Sequence, residues 1–459
     1  MTAPPRSPKV EVLVADLNRT ASRHARIEYR GGVSFAHHRI EQFTLGNGLR
    51  VLVLPDHTAP VVSYHTWFRV GSRDEVRGKT GLAHLFEHLM FNETKNLPAG
   101  TFDRRLEQAG AHSNAATWND WTYYYEDLPS SQLALAVRLE SERMQHLVLR
   151  DPQVRSEKEV VANERRFRVD DDVDGAVNEM LYSIAFRRHS YHHPTIGWMK
   201  DINAFTIGDC REFYKRYYAP NNATVVIVGD VRMRRALTLM QTHYGSIAPS
   251  VIKRRSVPKE SAQKTERSRT IRRPTPSPKI AVGYRGPALS DDDHAPLSVL
   301  SDALFGGRSS RLFRLLVTEQ ELASELNASV SSFRDPGLFE IYLTAREGVP
   351  ADRLQRALDR GLDRVHQAPI TDEERDRAVA RMELSFLQGL ESVGGRADTI
   401  GFFDTVLGDP AGSLRRLETL RAVTPADIAR VAGKYLRRTN RTRIVVLPSA
   451  SVRAKGAAA

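Results

Sequence analysis

One short segment of the 459-residue chain carries side chains that could bind a metal ion and use it for hydrolysis. The sequence GLAHLFEHLMF contains His84, Glu87 and His88. On a helix, the two histidines would lie one turn apart on one face, where two neutral imidazoles can bind one Zn²⁺. Glu87, on the flank of that face, could then take a proton from an attacking water.

A second helix is predicted to supply a third ligand. The segment RDPQVRSEKEVVANERRFR opens with Asp151 as N-cap and Pro152 at the first helical position. Glu157 and Glu164 are seven residues apart, so they lie on one face of this helix. From the spacing alone, either glutamate could complete a His₂Glu site with an open fourth position. A bare H-x-x-E-H also occurs by chance, and these glutamates could instead form a solvated helix face.

The residues around this motif give the chain a family resemblance. It resembles the pitrilysin/insulinase family of inverted zincins, in its processing-peptidase-like branch, in which H-x-x-E-H is followed by a distant ligand glutamate. Glu164 stands 76 residues after His88, which matches that pattern. The resemblance runs from about residue 40 to 448 and includes GNGLRVLVLPDHTAP, GSRDE, NAATWNDWTYYYEDLP and YYAPNNATVVIVGD.

The resemblance implies a role for each residue of the motif. His84 and His88 would be the imidazole ligands of a zinc ion, and Glu164 would be its carboxylate ligand. Glu87 would be the base that deprotonates water and later protonates the leaving amine. Glu157 would be a second catalytic acid, which orients one of the ligands or moves protons.

An activity and a substrate-binding strand are also implied by the resemblance. The expected reaction is hydrolysis of peptides or small unfolded proteins by a zinc endopeptidase. Asn114 and Ala115 match the segment that holds the substrate backbone as an added strand near the metal. Without the resemblance, the same two residues could be a turn that packs at a sheet edge.

The second half of the chain lacks two groups that self-sufficient members of the family use. Those members carry an Arg and a Tyr that hold the substrate and stabilise the oxyanion. The corresponding positions here are Val317 and Ser324. We therefore expect a homologous subunit to supply both groups in a heterodimer. Alternatively, Arg311 or Arg314 in the same stretch could replace them within this chain.

The chain contains an internal repeat of a predicted helix and strand. The segments around Thr206 and Thr424 share at least five identities without a gap, all 218 residues apart. In both copies, a threonine N-cap with aspartate three residues later predicts a helix, and a β-branched run after an Asn-containing turn predicts a buried strand. The matching pairs are Thr206/Thr424, Asp209/Asp427, Tyr217/Tyr435, Asn222/Asn440 and Thr224/Thr442.

This repeat predicts an α+β fold of two homologous domains, each a mainly antiparallel sheet packed with helices, that close like a clam shell. Alignment of the halves places Ser298, Ser301 and Asp302 opposite the H-x-x-E-H residues, so the second domain should be metal-free. The predicted bounds are 36–245 for the zinc-bearing domain, 246–264 for the linker and 265–450 for the second domain.

Composition and charge narrow the alternative functions. A single cysteine, Cys210, excludes a cysteine-rich metal site. Of the net charge of +12, much lies between Lys253 and Lys279, which hold ten Lys/Arg and two acids. We interpret this segment as a solvated linker beside strand edges and not as a nucleic-acid site, because no nucleic-acid module accompanies it.

Location and the main competing function are also expectations at this point. The chain has no run of about 18 apolar residues and its first residues lack a secretory signal, so we expect a soluble, cytoplasmic protein without membrane binding. The competing function is a non-catalytic structural or assembly subunit related to processing peptidases. That alternative is disfavoured because every acidic and imidazole position of the zinc motif is intact.

Overall fold

The computed structural model describes residues 5–449, which form two compact units. Two segments lie in a different unit from the one that the linear bounds predict, since 163–194 belongs to the second unit and 387–415 to the first. Residue 450 of those bounds lies outside the described residues. The first unit contains the described residues up to 162, with 195–256 and 387–415; the second contains 163–194, 257–386 and those from 416 onward.

The strands of the described residues form one sheet in each unit. The first sheet has the order β1-β2-β3-β7-β4-β6-β5 and the second the order β10-β11-β9-β12-β8. Neighbouring strands are antiparallel, except that β3 pairs with β7 and β8 with β12 in parallel. The strands are β1 Ile27–Phe35, β2 His38–Leu45, β3 Arg50–Pro55, β4 Val61–Phe68, β5 His112–Thr117, β6 Thr122–Pro129, β7 Ala223–Gly229, β8 Arg267–Arg273, β9 Lys279–Arg285, β10 Ala323–Val330, β11 Leu338–Ala345 and β12 Arg441–Pro448.

Helices cover both sheets. Among the described residues, no helix has both the length and the apolar character needed to cross a membrane. The helices are α1 Pro8–Leu17, α2 Leu82–Leu89, α3 Thr101–Gln108, α4 Leu133–His146, α5 Asp151–Arg165, α6 Val173–Ala185, α7 Met199–Ala204, α8 Ile207–Tyr217, α9 Met233–Tyr244, α10 His294–Phe305, α11 Arg311–Phe313, α12 Ala351–Gln367, α13 Asp372–Gly389, α14 Val393–Leu407, α15 Gly412–Ala422 and α16 Pro425–Tyr435.

The two sheets repeat one strand order, which confirms the duplication and the α+β class. The order β3-β7-β4-β6-β5 in the first unit corresponds to β8-β12-β9-β11-β10 in the second. Both predicted capping boxes form at the start of α8 and α16, and an asparagine after each helix donates to a carbonyl oxygen near its end. These bonds join Thr206 to Asp209, Thr424 to Asp427, Asn222 to Tyr217 and Asn440 to Tyr435.

Each sheet has one face covered by a helix from the other half of the chain. In the first unit, Ile400 of α14 is buried with Trp67 of the sheet. Gly401 allows this contact, since a Cβ at that position would lie 2.0 Å from Trp67 Nε1. In the second unit, Leu181 of α6 is buried with Ile444. An apolar helix face predicts burial but not the partner, so the sequence pattern did not indicate this exchange.

The opposite face of the first sheet supports α2. Strand β7 is buried along its whole length, as its continuous β-branched run predicts for a central strand. A single core cluster joins Val225 of β7 and Tyr64 of β4 to Leu85 and Phe86 of α2. The helix that carries the H-x-x-E-H motif is therefore anchored on the sheet by its apolar face.

The basic segment contains little regular structure before β8. No helix or strand lies between Lys253 and Glu266. Two of its arginines are used within the fold: Arg254 donates to Asn222 Oδ1 at 3.0 Å, and Arg267 donates to the Ala185 carbonyl oxygen at 2.9 Å. This arrangement agrees with the interpretation as a linker that continues into an edge strand.

Candidate metal centre

The three motif residues lie on α2, which begins after a glycine. Gly81 has a φ of 97°, in the left-handed region that favours glycine. The rings of His84 and His88 have centroids 4.9 Å apart and planes at 66° to each other. His84 is buried, whereas Glu87 and His88 are half-buried. The motif therefore borders the surface on one side of a helix whose other sides are in the core.

Helix α5 brings Glu164 to the two histidines. One ligand atom from each of His84, His88 and Glu164 lies within 4.8 Å of the others, and this is the single group of three such residues in the described part of the chain. The division between the units falls inside this continuous helix, so Glu164 follows directly from its first-unit part. Two imidazole nitrogens and one carboxylate oxygen suit zinc, whose bonds to them measure about 2.0–2.2 Å.

Two arginines hold the end of α5 beside this centre. Arg168 Nε lies 3.0 Å from Glu164 Oε1, on a π-helical turn that follows the helix. Arg165 donates from both terminal nitrogens to the carboxylate of Glu179, at 2.6 and 3.2 Å. The spacing of four residues between Glu164 and Arg168 was the available sequence signal for the first contact. Nothing local indicated the second.

Glu157 contacts His88 from outside the ligand cluster. Its Oε2 lies 3.7 Å from His88 Nδ1, and its Oε1 accepts a hydrogen bond of 3.0 Å from Asn92 Nδ2. A carboxylate beside one imidazole nitrogen orients the ring and leaves the opposite nitrogen for a metal. The structure thus separates two glutamates that spacing alone left equivalent. Asn92 carried no sequence signal for this contact.

Two buried tyrosines support α2 beneath Glu87. Tyr124 donates to the Phe86 carbonyl oxygen at 3.0 Å, and its hydroxyl lies 3.2 Å from that of Tyr218. Burial raises the pKa of both tyrosines, and the negative charge of Glu87 raises them further. Both hydroxyls therefore stay protonated and can donate hydrogen bonds close to the H-x-x-E-H segment.

Behind Tyr124, two glutamates share a fully buried arginine. The guanidinium of Arg143 lies 4.2 Å from the centre of the Tyr124 ring. It pairs with Glu140 and, at 3.3 Å, with Glu126. Burial raises the pKa of Glu126 well above its ordinary value, and the charge of Glu140 adds to the rise while Arg143 opposes it. The layer beneath α2 is thus both apolar and charged.

The raised pKa of Glu126 predicts a pH dependence of stability. A carboxyl that binds its proton more tightly when folded stabilises the fold fully below its unfolded pKa, near 4.5, and this contribution is lost as pH rises through the folded value. Each unit of pKa shift corresponds to about 1.4 kcal/mol. Between about pH 5 and pH 8, the melting temperature of the metal-free protein should fall further for wild type than for Glu126→Gln.

Thermal unfolding followed by circular dichroism at both pH values measures this difference. Glu159→Gln, an exposed change on α5, is the control and should keep the wild-type dependence. Equal falls in wild type and Glu126→Gln would show that Glu126 ionises normally in the fold.

Asn114 and Ala115 lie on the edge strand of the first sheet. Strand β5 pairs with β6 on its inner side and ends the sheet on the other. Asn114 lies opposite Tyr125, and Ala115 lies opposite Tyr124, the tyrosine that bonds to α2. The two residues are therefore on a strand next to the one that supports α2, with an outer edge where an extended peptide could add.

In the second unit, an ion pair stands where the repeat aligns the second motif histidine. Asp302 on α10 corresponds to His88, and Arg381 on α13 bonds to its carboxylate, with Nε 3.2 Å from Oδ2. Ser298, the counterpart of His84, accepts a 3.1 Å hydrogen bond from Arg416 Nη2. In the second unit, the side chains at two of the aligned motif positions are therefore bonded to arginines.

The residues aligned with the missing Arg and Tyr have other surroundings. Val317 packs against the core of the second unit, and Ser324 is exposed on β10. Arg311 is engaged with Glu374 and with two backbone carbonyl oxygens after α12, so its guanidinium is part of the fold. Arg314 is exposed and pairs with Glu319 at 3.1 Å. Of the two alternative arginines, Arg314 is the more accessible.

Comparison with known proteins matches both halves of the chain. A family model described as Insulinase (Peptidase family M16) matches residues 50–197, and one described as Peptidase M16 inactive domain matches residues 204–382. The zinc protease PqqE of Helicobacter pylori is 32% identical over 414 residues, which are 89% of this chain and 93% of that protein. The mitochondrial-processing peptidase subunit beta of Lentinula edodes is 26% identical over 406 residues, 86% of each protein.

The similarity extends to solved structures. The crystal structure of a protease from Helicobacter pylori superposes with a TM-score of 0.84 at 31% sequence identity. The superposition covers 89% of this chain and 99% of that one. Similarity in sequence and in the arrangement of elements therefore extends over almost the whole of that protein.

Proposed function

The chain belongs to the insulinase family of peptidases, M16, and we propose that it is a zinc metalloendopeptidase that hydrolyses peptides or small unfolded proteins. One observation carries the proposal: ligand atoms of His84, His88 and Glu164 lie within 4.8 Å of one another. Glu87 stands on the same helix as both histidines. The name of the Helicobacter pylori relative, a zinc protease, supports zinc as the metal.

The side chains of this centre divide the chemistry among them. His84, His88 and Glu164 would hold the zinc ion, which when bound supplies a Lewis acid that polarises the scissile carbonyl and acidifies water. Glu87 takes the proton of the attacking water and later gives it to the leaving nitrogen. Glu157 keeps the ring of His88 in orientation from its 3.7 Å contact.

The substrate would bind as an extended strand along β5. Asn114 and Ala115 offer backbone groups on the outer edge of the first sheet. A peptide added there forms main-chain hydrogen bonds that do not depend on its sequence. This mode favours unfolded segments and excludes folded proteins, whose backbone groups are already paired.

We further propose that a homologous subunit completes the site in a heterodimer. Val317 has no side-chain donor, and the Ser324 hydroxyl already donates to the Thr344 carbonyl oxygen at 3.3 Å. Arg311 is engaged elsewhere, which leaves the exposed Arg314 as the alternative within this chain. The Lentinula edodes relative is named a subunit, which supports an assembly of more than one chain. Loss of one oxyanion donor typically costs about 10²–10³ in rate, so a partner with both groups should have a large effect.

The test is cleavage of a mixed quenched-peptide library by the purified, zinc-loaded chain alone, with Glu87→Gln as the blank. Cleavage that disappears in the variant would establish the peptidase and remove the need for a partner. Stoichiometric zinc without cleavage would support the heterodimer. In that case, addition of the homologous subunit should raise the rate by at least about 10²–10³, and a partner without its Arg should raise it less.

A chain that binds no zinc and cleaves nothing, even with a homologous partner, would instead support the structural or assembly role.

The cellular location of the protein needs its own test. Action in the cytoplasm stays a prediction from the sequence, and fractionation of cells with an antibody to the chain would test it.

A further inference from the structure

We propose that Glu75 is a positioning residue for the metal centre: its buried carboxylate fixes the first turn of α2 and thereby the orientation of both histidines and Glu87. The inference rests on the proposed zinc peptidase function, because the orientation matters only if these residues bind the metal. Glu75 bonds to the backbone of the helix, and its effect passes to the ligands through that backbone.

Both oxygens of Glu75 are used by the helix. Oε2 accepts a hydrogen bond of 2.8 Å from the Gly81 backbone nitrogen, and Oε1 accepts one of 2.7 Å from the Ala83 backbone nitrogen. Gly81 is the N-cap and has no side chain to serve this purpose. A carboxylate from six residues upstream therefore does what a Ser, Thr or Asp usually does at the helix start.

This cap matters more for α2 than for a long helix. The helix has eight residues, and isolated helices below about 12 residues are marginal in water. Ala83, which donates to Glu75, is directly followed by His84. Ligands must be held within about 0.5 Å to bind a metal well, so a small shift of the first turn would disturb the centre.

Glu75 also joins the metal helix to the substrate strand. The segment before it is bonded to the residues that follow β5: Ser72 donates to the Trp118 carbonyl oxygen at 3.1 Å, and Arg73 to that of Asn119 at 2.9 Å. Asp74 accepts from the Gly71 backbone nitrogen at 3.2 Å and closes this turn. Through Glu75, the edge that would bind the peptide and the helix that would bind the metal share one rigid connection.

A second set of contacts holds the other side of the turn before α2. Thr80 donates from its hydroxyl to Asp201 at 2.7 Å and accepts from the Trp198 backbone nitrogen at 3.0 Å. A Cβ at Gly197 would lie 2.2 Å from the Thr80 carbonyl oxygen, so the two turns touch through their backbones. These contacts would remain in a Glu75 variant. We therefore expect α2 to remain folded against the sheet, while its first turn loses the orientation that Glu75 gives it.

The test compares Glu75→Gln with wild type in two measurements that do not depend on catalysis. Gln keeps the shape but puts an amide NH₂ against one backbone N–H. We expect zinc affinity, measured by chelator competition, to fall about 10–100-fold, as for other outer residues of metal centres. At a temperature well below the melting temperature, the absorption spectrum of the Co²⁺-substituted variant should also differ from that of wild type. Glu75→Asp should recover part of the zinc affinity and part of the wild-type spectrum.

A purely structural role would lower the melting temperature and leave both metal signals of the folded protein unchanged. Zinc affinity within twofold of wild type and an unchanged Co²⁺ spectrum in Glu75→Gln would overturn the proposal. If that variant does not fold, the same comparison applies to Glu75→Asp, with Glu107→Gln as an exposed control. A wild-type chain that binds no zinc would overturn this inference and the proposed function together, whereas normal wild-type binding isolates the role of Glu75.

Discussion

The Glu87→Gln variant is expected to lose peptide hydrolysis by about 10²–10⁴ in kcat and to keep one bound zinc per chain. Glu87 lies between the two histidines in the sequence of α2, and its carboxylate does not belong to the group of ligand atoms that converges there. An amide cannot accept a proton from the attacking water or return it to the leaving nitrogen. Its similar size leaves the helix and the metal ligands undisturbed.

The measurement pairs the rate on a cleaved library peptide with the zinc content of the same preparation. If wild type needs its homologous subunit for activity, both proteins are assayed with that subunit present. Glu107→Gln, which changes an exposed glutamate of α3 in the same way, should match wild type in both respects. Loss of zinc in Glu87→Gln would make Glu87 a ligand, and full activity would remove it from the mechanism.

The sequence predicted local features of the site and of the fold well, because short-range geometry determines them. A spacing of four residues on a helix brings His84 and His88 together without reference to the rest of the chain. The capping boxes at Thr206 and Thr424 depend on residues three apart, and both form as predicted. The repeat of 218 residues predicted two similar sheets, and their strand orders correspond.

Contacts between residues far apart in the sequence could not be predicted from local patterns. Spacing left Glu157 and Glu164 equivalent, and only the fold places one in the ligand cluster and the other against Nδ1 of His88. The division into units differs from the linear bounds because α6 and α14 each pack on the sheet of the other half. A helix with apolar residues in a duplicated chain can pack on either of two similar sheets, and its own sequence does not indicate which one.

The bonds of Glu75 to α2 could not be predicted from the local sequence either. A buried acid six residues before a helix looks in the sequence like part of a turn, since usual N-caps are adjacent to the helix. Its function appears when the backbone brings Gly81 and Ala83 to its two oxygens. The GSRDE segment contributed to the family resemblance, but the physical reason for its glutamate needed the fold.

The second large effect is expected from Glu164→Ala, which should weaken zinc binding by more than the roughly 10–100-fold that loss of an outer residue costs. The substitution removes the one carboxylate of the ligand group and leaves two imidazoles on α2. It also releases the guanidinium of Arg168, now 3.0 Å from Glu164 Oε1, so a positive charge remains near the centre and repels the cation.

Competition with a chelator, followed by metal analysis of the recovered protein, measures the affinity. Glu159→Ala is the matched control, because it removes an exposed carboxylate from the same helix and should bind zinc like wild type. Glu157→Ala should lie between the two, since it takes away the contact to His88 but no ligand. An unchanged affinity in Glu164→Ala, together with a loss in Glu157→Ala, would exchange the roles of the two glutamates. The order wild type, Glu157→Ala, Glu164→Ala would instead establish the ligand set on which the proposed hydrolysis depends.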